Sequence, residues 1–170
     1  MPELQPLRAD HGPAILAFES ENRAYFAASI SDRGDEYFEH FSERHQALLA
    51  EQETGTGAFY VLVDGDGSVL GRFNLLFGDE GTADLGYRVA RRVAGRGVAT
   101  ATVGEMCSVA ASRHGVRTLR AAVSTGNVAS QRVLVNAGFA EVGPADPSEL
   151  GGKQGSWYER DVVPGSGRDA

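Results

Sequence analysis

The stretch that most restricts the fold runs from Thr82 to Gly138, where strand and helix patterns alternate. "TADLGYRV" (82–89) reads as a strand and residues 97–114 as a helix. "VRTLRAAVS" (116–124) reads as a second strand, and "NVASQRVLVNAG" (127–138) as a helix capped by Asn127 and stopped by Gly138. Strand, helix and strand in succession place the two strands parallel in one sheet, with the helix as the crossover. On the first helix Ala99, Val103, Met106, Cys107 and Ala110 fall on one apolar stripe.

Upstream, "LQPLR" (4–8) is a short strand candidate. Asp10 is expected to cap a helix with Pro13 in its first turn, running through "AILAFESEN". A second helix is expected from near Asp32 or Asp35, carrying Tyr37, Phe38, Phe41, His45, Leu48 and Leu49 at spacings of three and four. Then the period changes. "AFYVLV" (58–63) and "SVLGRFNLLF" (68–77) read as strands joined by the turn "DGDG". Gly86, inside the next strand, suits a bulge or a close backbone approach. "FAEVG" and "GSWYERDVV" (155–163) close the chain as strands. A hairpin region followed by strand–helix–strand gives an α/β fold of the α+β type, a mixed sheet with helices on both faces. Residues 1–163 are expected to form one domain, and 164–170 a disordered tail.

At 170 residues and 42% apolar, the chain can bury one core. Cys107 is its only cysteine, so no internal disulfide is possible, and its place on the apolar stripe makes it a core residue. "MPELQPLRAD" shows no signal-peptide pattern, and no apolar run approaches the roughly 18 residues a membrane helix needs. A cytoplasmic protein without membrane partners is expected. The net charge of −7 weighs against a nucleic-acid binder. Residues 1–85 hold 16 acidic and 5 basic residues, −11; residues 86–170 hold 7 and 11, +4. The second half therefore suits an anionic ligand and the first a cationic one. The histidines at 11, 40, 45 and 114 lack metal spacing, and "DGDG" lacks the later ligands of a calcium loop, so no metal is expected.

"ARRVAGRGVATATVG" (90–104) packs three glycines and three arginines ahead of a helix. A Walker loop needs a lysine after its second glycine, and the only lysine here is Lys153. A dinucleotide fingerprint needs a third glycine and an acidic residue about 20 positions on, and neither is present. "RVAGRG" (92–97) instead reads R-x-x-G-x-G. Its backbone N–H groups, with the helix N-terminus behind them, can converge on a pyrophosphate. Here it resembles the acetyl-CoA motif of the GNAT superfamily of N-acetyltransferases. "NVASQRVLVNAGF" (127–139) matches N-x-x-S-x(7)-G-F of the ribosomal-protein N-terminal acetyltransferase (RimJ/RimL-like) branch, and "DLGYRV" is similar to that branch's "EIGY" strand. The resemblance covers residues 4–163.

That resemblance implies a mostly antiparallel sheet with one splayed parallel strand pair, acetyl-CoA as cosubstrate, and direct acetyl transfer to a primary amine. The acceptor would be a protein N-terminus or a small cationic amine; a non-catalytic acyl-CoA-binding module is the alternative. By similarity Tyr87, Arg88 and Val89 contact the pantetheine arm, and an N–H there faces the thioester carbonyl. Arg92, Val93, Ala94, Gly95, Arg96, Gly97, Val98 and Ala99 surround the pyrophosphate, and Asn127 contacts the pantetheine side. Arg91, Arg92, Arg96 and Arg132 either add charge near the phosphates or are solvated. Ser130 is the general-acid candidate, or else only a first-turn helix serine. Asp84 and Glu19 are the base candidates, with a water chain as a third route. A lysine-like amine is only about one part in 10³ neutral at pH 7, whereas an α-amine is roughly a tenth neutral, so the base matters more for the former. Asn22, Arg23, Tyr25 and Phe26 either line the acceptor site or join helices. Trp157 and Tyr158 either line it or pack. The chain is expected to work as a monomer or homodimer.

Overall fold

The computed structural model describes residues 2–162. The expected tail at 164–170 lies outside the described residues. In chain order the elements are β1 (Glu3–Pro6), α1 (Gly12–Glu21), α2 (Arg23–Ala27), α3 (Asp35–Glu39), α4 (Phe41–Thr54), β2 (Gly57–Val63), β3 (Val69–Phe77) and β4 (Thr82–Val89). There follow α5 (Val98–His114), β5 (Thr118–Ser124), α6 (Val128–Asn136), β6 (Ala140–Ala145) and β7 (Gly155–Asp161). Among the described residues seven strands form one sheet in the order β1-β2-β3-β4-β5-β7-β6. The sheet is mostly antiparallel, and β4 and β5 are its parallel pair, as strand–helix–strand order requires.

The chain divides into two compact units. The first takes everything described up to Asn74 together with Tyr87–Ala94; the second takes Leu75–Gly86 and everything described from Gly95 on. In the first unit β1 pairs antiparallel with β2, from Glu3 opposite Val63 to Pro6 opposite Tyr60. Proline is tolerated there because β1 is the edge strand. Beside this ladder lies a core of Ile15, Phe18, Phe26, Tyr37, Phe41, Phe59, Val61 and Val69. The Gln52 side chain accepts from the Phe59 N–H at 3.0 Å and donates to the Leu7 carbonyl at 3.0 Å, holding α4 to β2 and to the residue that follows β1.

Several expectations change here. Asp10 does not cap α1. It sits in a 3-10 turn, Ala9–His11, and pairs with Arg8 at 3.0 Å, while the N-cap position falls to His11 without a side-chain bond. The second helix does start at Asp35, but His40, at φ −114° and ψ 32°, breaks it into α3 and α4. The segment "ENRAYF" is itself partly helical, as α2.

In the second unit α5 buries Val103, Met106, Cys107 and Ala110 of the expected stripe, leaves Ala99 only partly buried, and adds Thr102 and Ala111. β5 pairs along its full length with β7, from Thr118 opposite Asp161 to Ser124 opposite Gly155. Its parallel pairing with β4 covers only Thr82–Asp84 against Thr118–Arg120, although β4 continues to Val89 and β5 to Ser124. Asn127 caps α6 by accepting from the Ser130 N–H at 3.2 Å, and beyond Gly138 the Phe139 N–H returns to the Leu134 carbonyl at 2.9 Å.

Gly86 marks no close approach. It is exposed, β4 runs through it, and no atom lies within 4 Å of where a Cβ would stand. Close approaches fall elsewhere. A Cβ on Gly71 would stand 3.2 Å from the Arg88 carbonyl oxygen, and one on Gly155 would overlap the Val123 carbonyl oxygen and the Leu150 side chain. Gly155→Ala should therefore cost about 1–3 kcal/mol in urea unfolding, while Gly86→Ala should stay within about 0.5 kcal/mol. Equal effects at the two positions would contradict this packing.

Candidate functional site

The glycine-rich loop starts from two anchors in the first unit. The Ala90 N–H donates to the Leu70 carbonyl at 2.8 Å, and the Arg91 N–H donates to Asn22 Oδ1 at 3.0 Å. The other end of the Asn22 amide donates to the Phe18 carbonyl at 2.9 Å, so both ends of this buried side chain are bonded inside the protein. Arg91–Val93 then form a 3-10 turn that uses the N–H groups of Val93 and Ala94, which donate to the carbonyls of Ala90 and Arg91. From Gly95 the chain lies in the second unit. Gly95 and Gly97 take φ +75° and +78°, and Gly97 is the N-cap of α5, with no side chain to cap it. Among the described residues no backbone acceptor takes the N–H of Gly95, Arg96 or Gly97. The first-turn N–H groups of the 17-residue helix α5 are likewise unpaired by geometry. A Cβ on either glycine would meet no atom within 4 Å. The result is an exposed row of backbone donors facing open space at a positive helix end, which suits an anion.

The second-motif residues gather at the end of β5. The Asn127 N–H donates to the Ser124 carbonyl at 3.0 Å, and the Gln131 side chain donates to the carbonyls of Ser124 and Thr125 at 3.0 and 2.9 Å. Ser130 is partly buried in the first turn of α6. Asp84 stands beside Arg120 in the parallel pair. Burial pushes its carboxyl above the ordinary aspartate range, aided by Glu149 and opposed by Arg120. The Arg120 guanidinium lies 4.0 Å over the Trp157 ring. Its Nε is 3.2 Å from Glu159 Oε2, within ion-pair range but out of hydrogen-bond line.

The first unit holds a charge knot. Glu19, with a side chain 1% exposed, accepts from Arg33 at 3.0 Å on both oxygens, from Arg72 Nη1 at 2.7 Å and from Arg88 Nη1 at 3.2 Å. Burial pushes the Glu19 carboxyl up, but the Arg33 hydrogen bonds and the charges of Arg33, Arg88 and Arg72 outweigh it and hold the group below the ordinary glutamate range. Burial, then the Arg33 charge, lowers Arg88 to about 10. Aromatic faces carry the cations: Arg33 lies 4.8 Å over Tyr37 and Arg88 4.7 Å over Phe26. Alongside, Arg23 pairs with Asp32 and Asp35 at 2.8 Å and lies 4.5 Å over Phe38. Glu19, Arg23, Phe26, Asp32, Arg33, Phe38 and Arg88 line a cleft.

The acetyltransferase (GNAT) domain profile matches residues 3–140. The chain belongs to the GNAT acetyltransferase family. The probable N-acetyltransferase YjcK of Bacillus subtilis (strain 168) is 27% identical over 148 residues, 84% of this chain and 82% of that protein. Among solved structures, ribosomal-protein-S5-alanine acetyltransferase of Vibrio fischeri superposes with a TM-score of 0.86 at 17% identity, over 96% of this chain and 94% of that one. RimJ of Mycobacterium smegmatis, in complex with CoA-disulfide, gives 0.81 at 21% identity, over 93% and 80%.

In this GNAT chain α6 is capped by Asn127 as its motif predicts, whereas the loop's row of N–H groups without a backbone acceptor among the described residues begins only at Gly95, because those of Val93 and Ala94 close the 3-10 turn. The arginines are dispersed. Arg92 donates to Ser68 Oγ at 2.9 Å and approaches Asp64, Arg91 lies 6.0 Å over the exposed ring of Tyr25, and Arg96 and Arg132 are exposed. Tyr158 is buried and Trp157 half-buried. Among the described residues no group of three or more His, Cys, Asp or Glu side chains could hold a metal, and no helix is long and apolar enough to cross a membrane. Spacing could not reveal the knot, because residues 19, 33, 72 and 88 come from separate elements. The available signal was Arg72, a charge inside the apolar strand pattern "VLGRFNLLF".

Glu19→Gln should lower stability by about 3–5 kcal/mol, since it leaves three guanidiniums around a neutral group. The Glu19 carboxyl lies lower in the folded state than in the unfolded one. Its stabilisation is therefore present above the ordinary glutamate range and is lost as pH falls through the folded value. Chemical unfolding from pH 7 to pH 3 should show a steeper acid loss in the wild type than in Glu19→Gln. Parallel curves would contradict the charge knot.

Proposed function

We propose that the chain transfers the acetyl group of acetyl-CoA to a primary amine. The observation that carries this reading is the open row of N–H donors at Gly95–Gly97 in front of the uncapped helix α5, where glycine leaves room for a pyrophosphate. In this reading Gly95–Ala99 hold the pyrophosphate, with Val93 and Ala94 shaping the turn before it. Tyr87–Val89 and Asn127 meet the pantetheine arm. Acetyl-CoA supplies the activated thioester; every other task falls to the chain's own residues.

The amine nitrogen forms its bond to the acetyl carbon as the carbon–sulfur bond breaks. Asp84 takes the amine's proton, because a carboxyl raised by burial is a better base than an ordinary one. Glu19, saturated by three guanidiniums, is a poor proton acceptor, and here it serves to position Arg33 and Arg88. The Ser130 hydroxyl returns a proton to the leaving sulfur. A thiol of pKa near 8.5 leaves readily, so Ser130→Ala should cost less than Asp84→Asn. Arg23, Tyr25 and Phe26 face the acceptor, Asn22 fixes the loop, and Trp157 with Arg120 orders the strand beside Asp84. Residues 1–163 serve as one acetyltransferase domain.

Thiol release from acetyl-CoA with a panel of amines and peptide N-termini tests the reading. Turnover should appear with at least one amine class, and Asp84→Asn should cut kcat by about 10²–10⁴. The variant should also lose a rising acid limb of the pH–rate profile that lies above the ordinary aspartate range. Tight acetyl-CoA binding without turnover across the panel would favour an acyl-CoA-binding module instead.

A further inference from the structure

Of the 16 acidic residues in the first 85, Glu19 alone is buried, and the rest are exposed or partly so. The acidity of that half therefore describes its outer surface and does not carry over to the cleft beside Glu19. There the balance reverses. Arg33, Arg72 and Arg88 surround one carboxylate, while Arg23 with its partners Asp32 and Asp35 adds one net negative charge alongside, so the cluster keeps an excess of one positive charge.

The donors are also unspent. Arg33 gives Nε and Nη2 to Glu19, and Arg88 gives Nη1. Among the described residues Arg33 Nη1, Arg88 Nε and Arg88 Nη2 donate to no protein acceptor. Both side chains line the cleft with Phe26 and Phe38, and they are only 28% and 15% exposed. Guanidiniums held on aromatic faces by a buried carboxylate are pre-oriented, so an arriving carboxylate meets fixed forks at little ordering cost.

From this we infer that the acceptor is an amine carrying a carboxylate, which Arg33 and Arg88 bind in the cleft lined by Phe26 and Phe38. The inference rests on the acetyl-transfer reading and gives its acceptor a charge class. A polycationic amine would face like charge there, and a carboxylate would relieve it. Arg33 and Arg88 are then specificity residues that orient the acceptor without moving a proton.

The test uses the full chain, acetyl-CoA and two matched pairs. One pair is 4-aminobutyrate against 1,4-diaminobutane, equal in length with a carboxylate in place of the second amine. The other is a pentapeptide amide with a free N-terminal alanine followed by two aspartates, against the same peptide with two lysines. The two pairs tell a small acceptor from a chain terminus. The carboxylate member of at least one pair should have a kcat/KM at least tenfold above its partner. Arg33→Gln, checked by thermal unfolding, should cut that ratio at least tenfold, mainly through KM, and Arg33→Lys should restore part of it. Equal rates, or a preference for the cationic member in both pairs, would overturn the inference and leave acetyl transfer standing. If no compound releases thiol, the transfer reading fails separately, and calorimetric titration of the same four compounds with CoA present decides the anion site. Binding of a carboxylate member that Arg33→Gln weakens tenfold upholds it, and absence of such binding overturns it.

Discussion

One buried carboxylate organises the first unit. Glu19 draws guanidiniums from β3, from β4 and from the loop before α3, and each brings its own element with it. Three cations need that anion, and the anion needs them, since a charged group taken out of water is costly unless paired. The aromatic faces of Tyr37 and Phe26 complete the shell. This arrangement fixes α1 against Arg88 at the end of β4, and through Asn22 after α1 it fixes where the glycine loop begins.

The loop itself depends on backbone more than on side chains. Its two positive-φ glycines turn successive N–H groups outward, and the first turn of α5 adds its own. The arginines that make this stretch conspicuous in the sequence turn to other partners. Arg92 goes to the β2–β3 turn and Arg91 to Tyr25. As the proposed phosphate cradle, a loop built from amides would tolerate change in its charged residues and would not tolerate change in its glycines.

Much of this was legible in the sequence wherever the determining signal was local. The capped start of α6 at Asn127, the stripe on α5 and the bounds of β4 follow from spacing and propensity within a few residues. Local signals also misled. Asp10 is a good cap residue, but Arg8 competes for its carboxylate, and Gly86 suggests a close approach that occurs at Gly71 and Gly155. What could not be read was the meeting of Glu19 with Arg33, Arg72 and Arg88. Their separations of 14, 53 and 69 residues leave no periodic trace. The half-chain charge sum weighs exposed acids equally with the one acid that lies inside, so it describes the outer surface and not the surroundings of Glu19.

The claim on which the functional account rests is that Gly95–Ala99 receive the pyrophosphate of acetyl-CoA. Calorimetric titration of acetyl-CoA into the wild type, Gly97→Val and Gly115→Val tests it most directly. Both glycines have positive φ with open space at the Cβ position, so both variants carry similar backbone strain, on the order of 1–3 kcal/mol. Only Gly97 lies at the proposed cradle, at the start of α5; Gly115 lies at its other end. Saturable one-to-one binding by the wild type and Gly115→Val, with none by folded Gly97→Val, is the predicted result. Wild-type affinity in Gly97→Val would contradict the account.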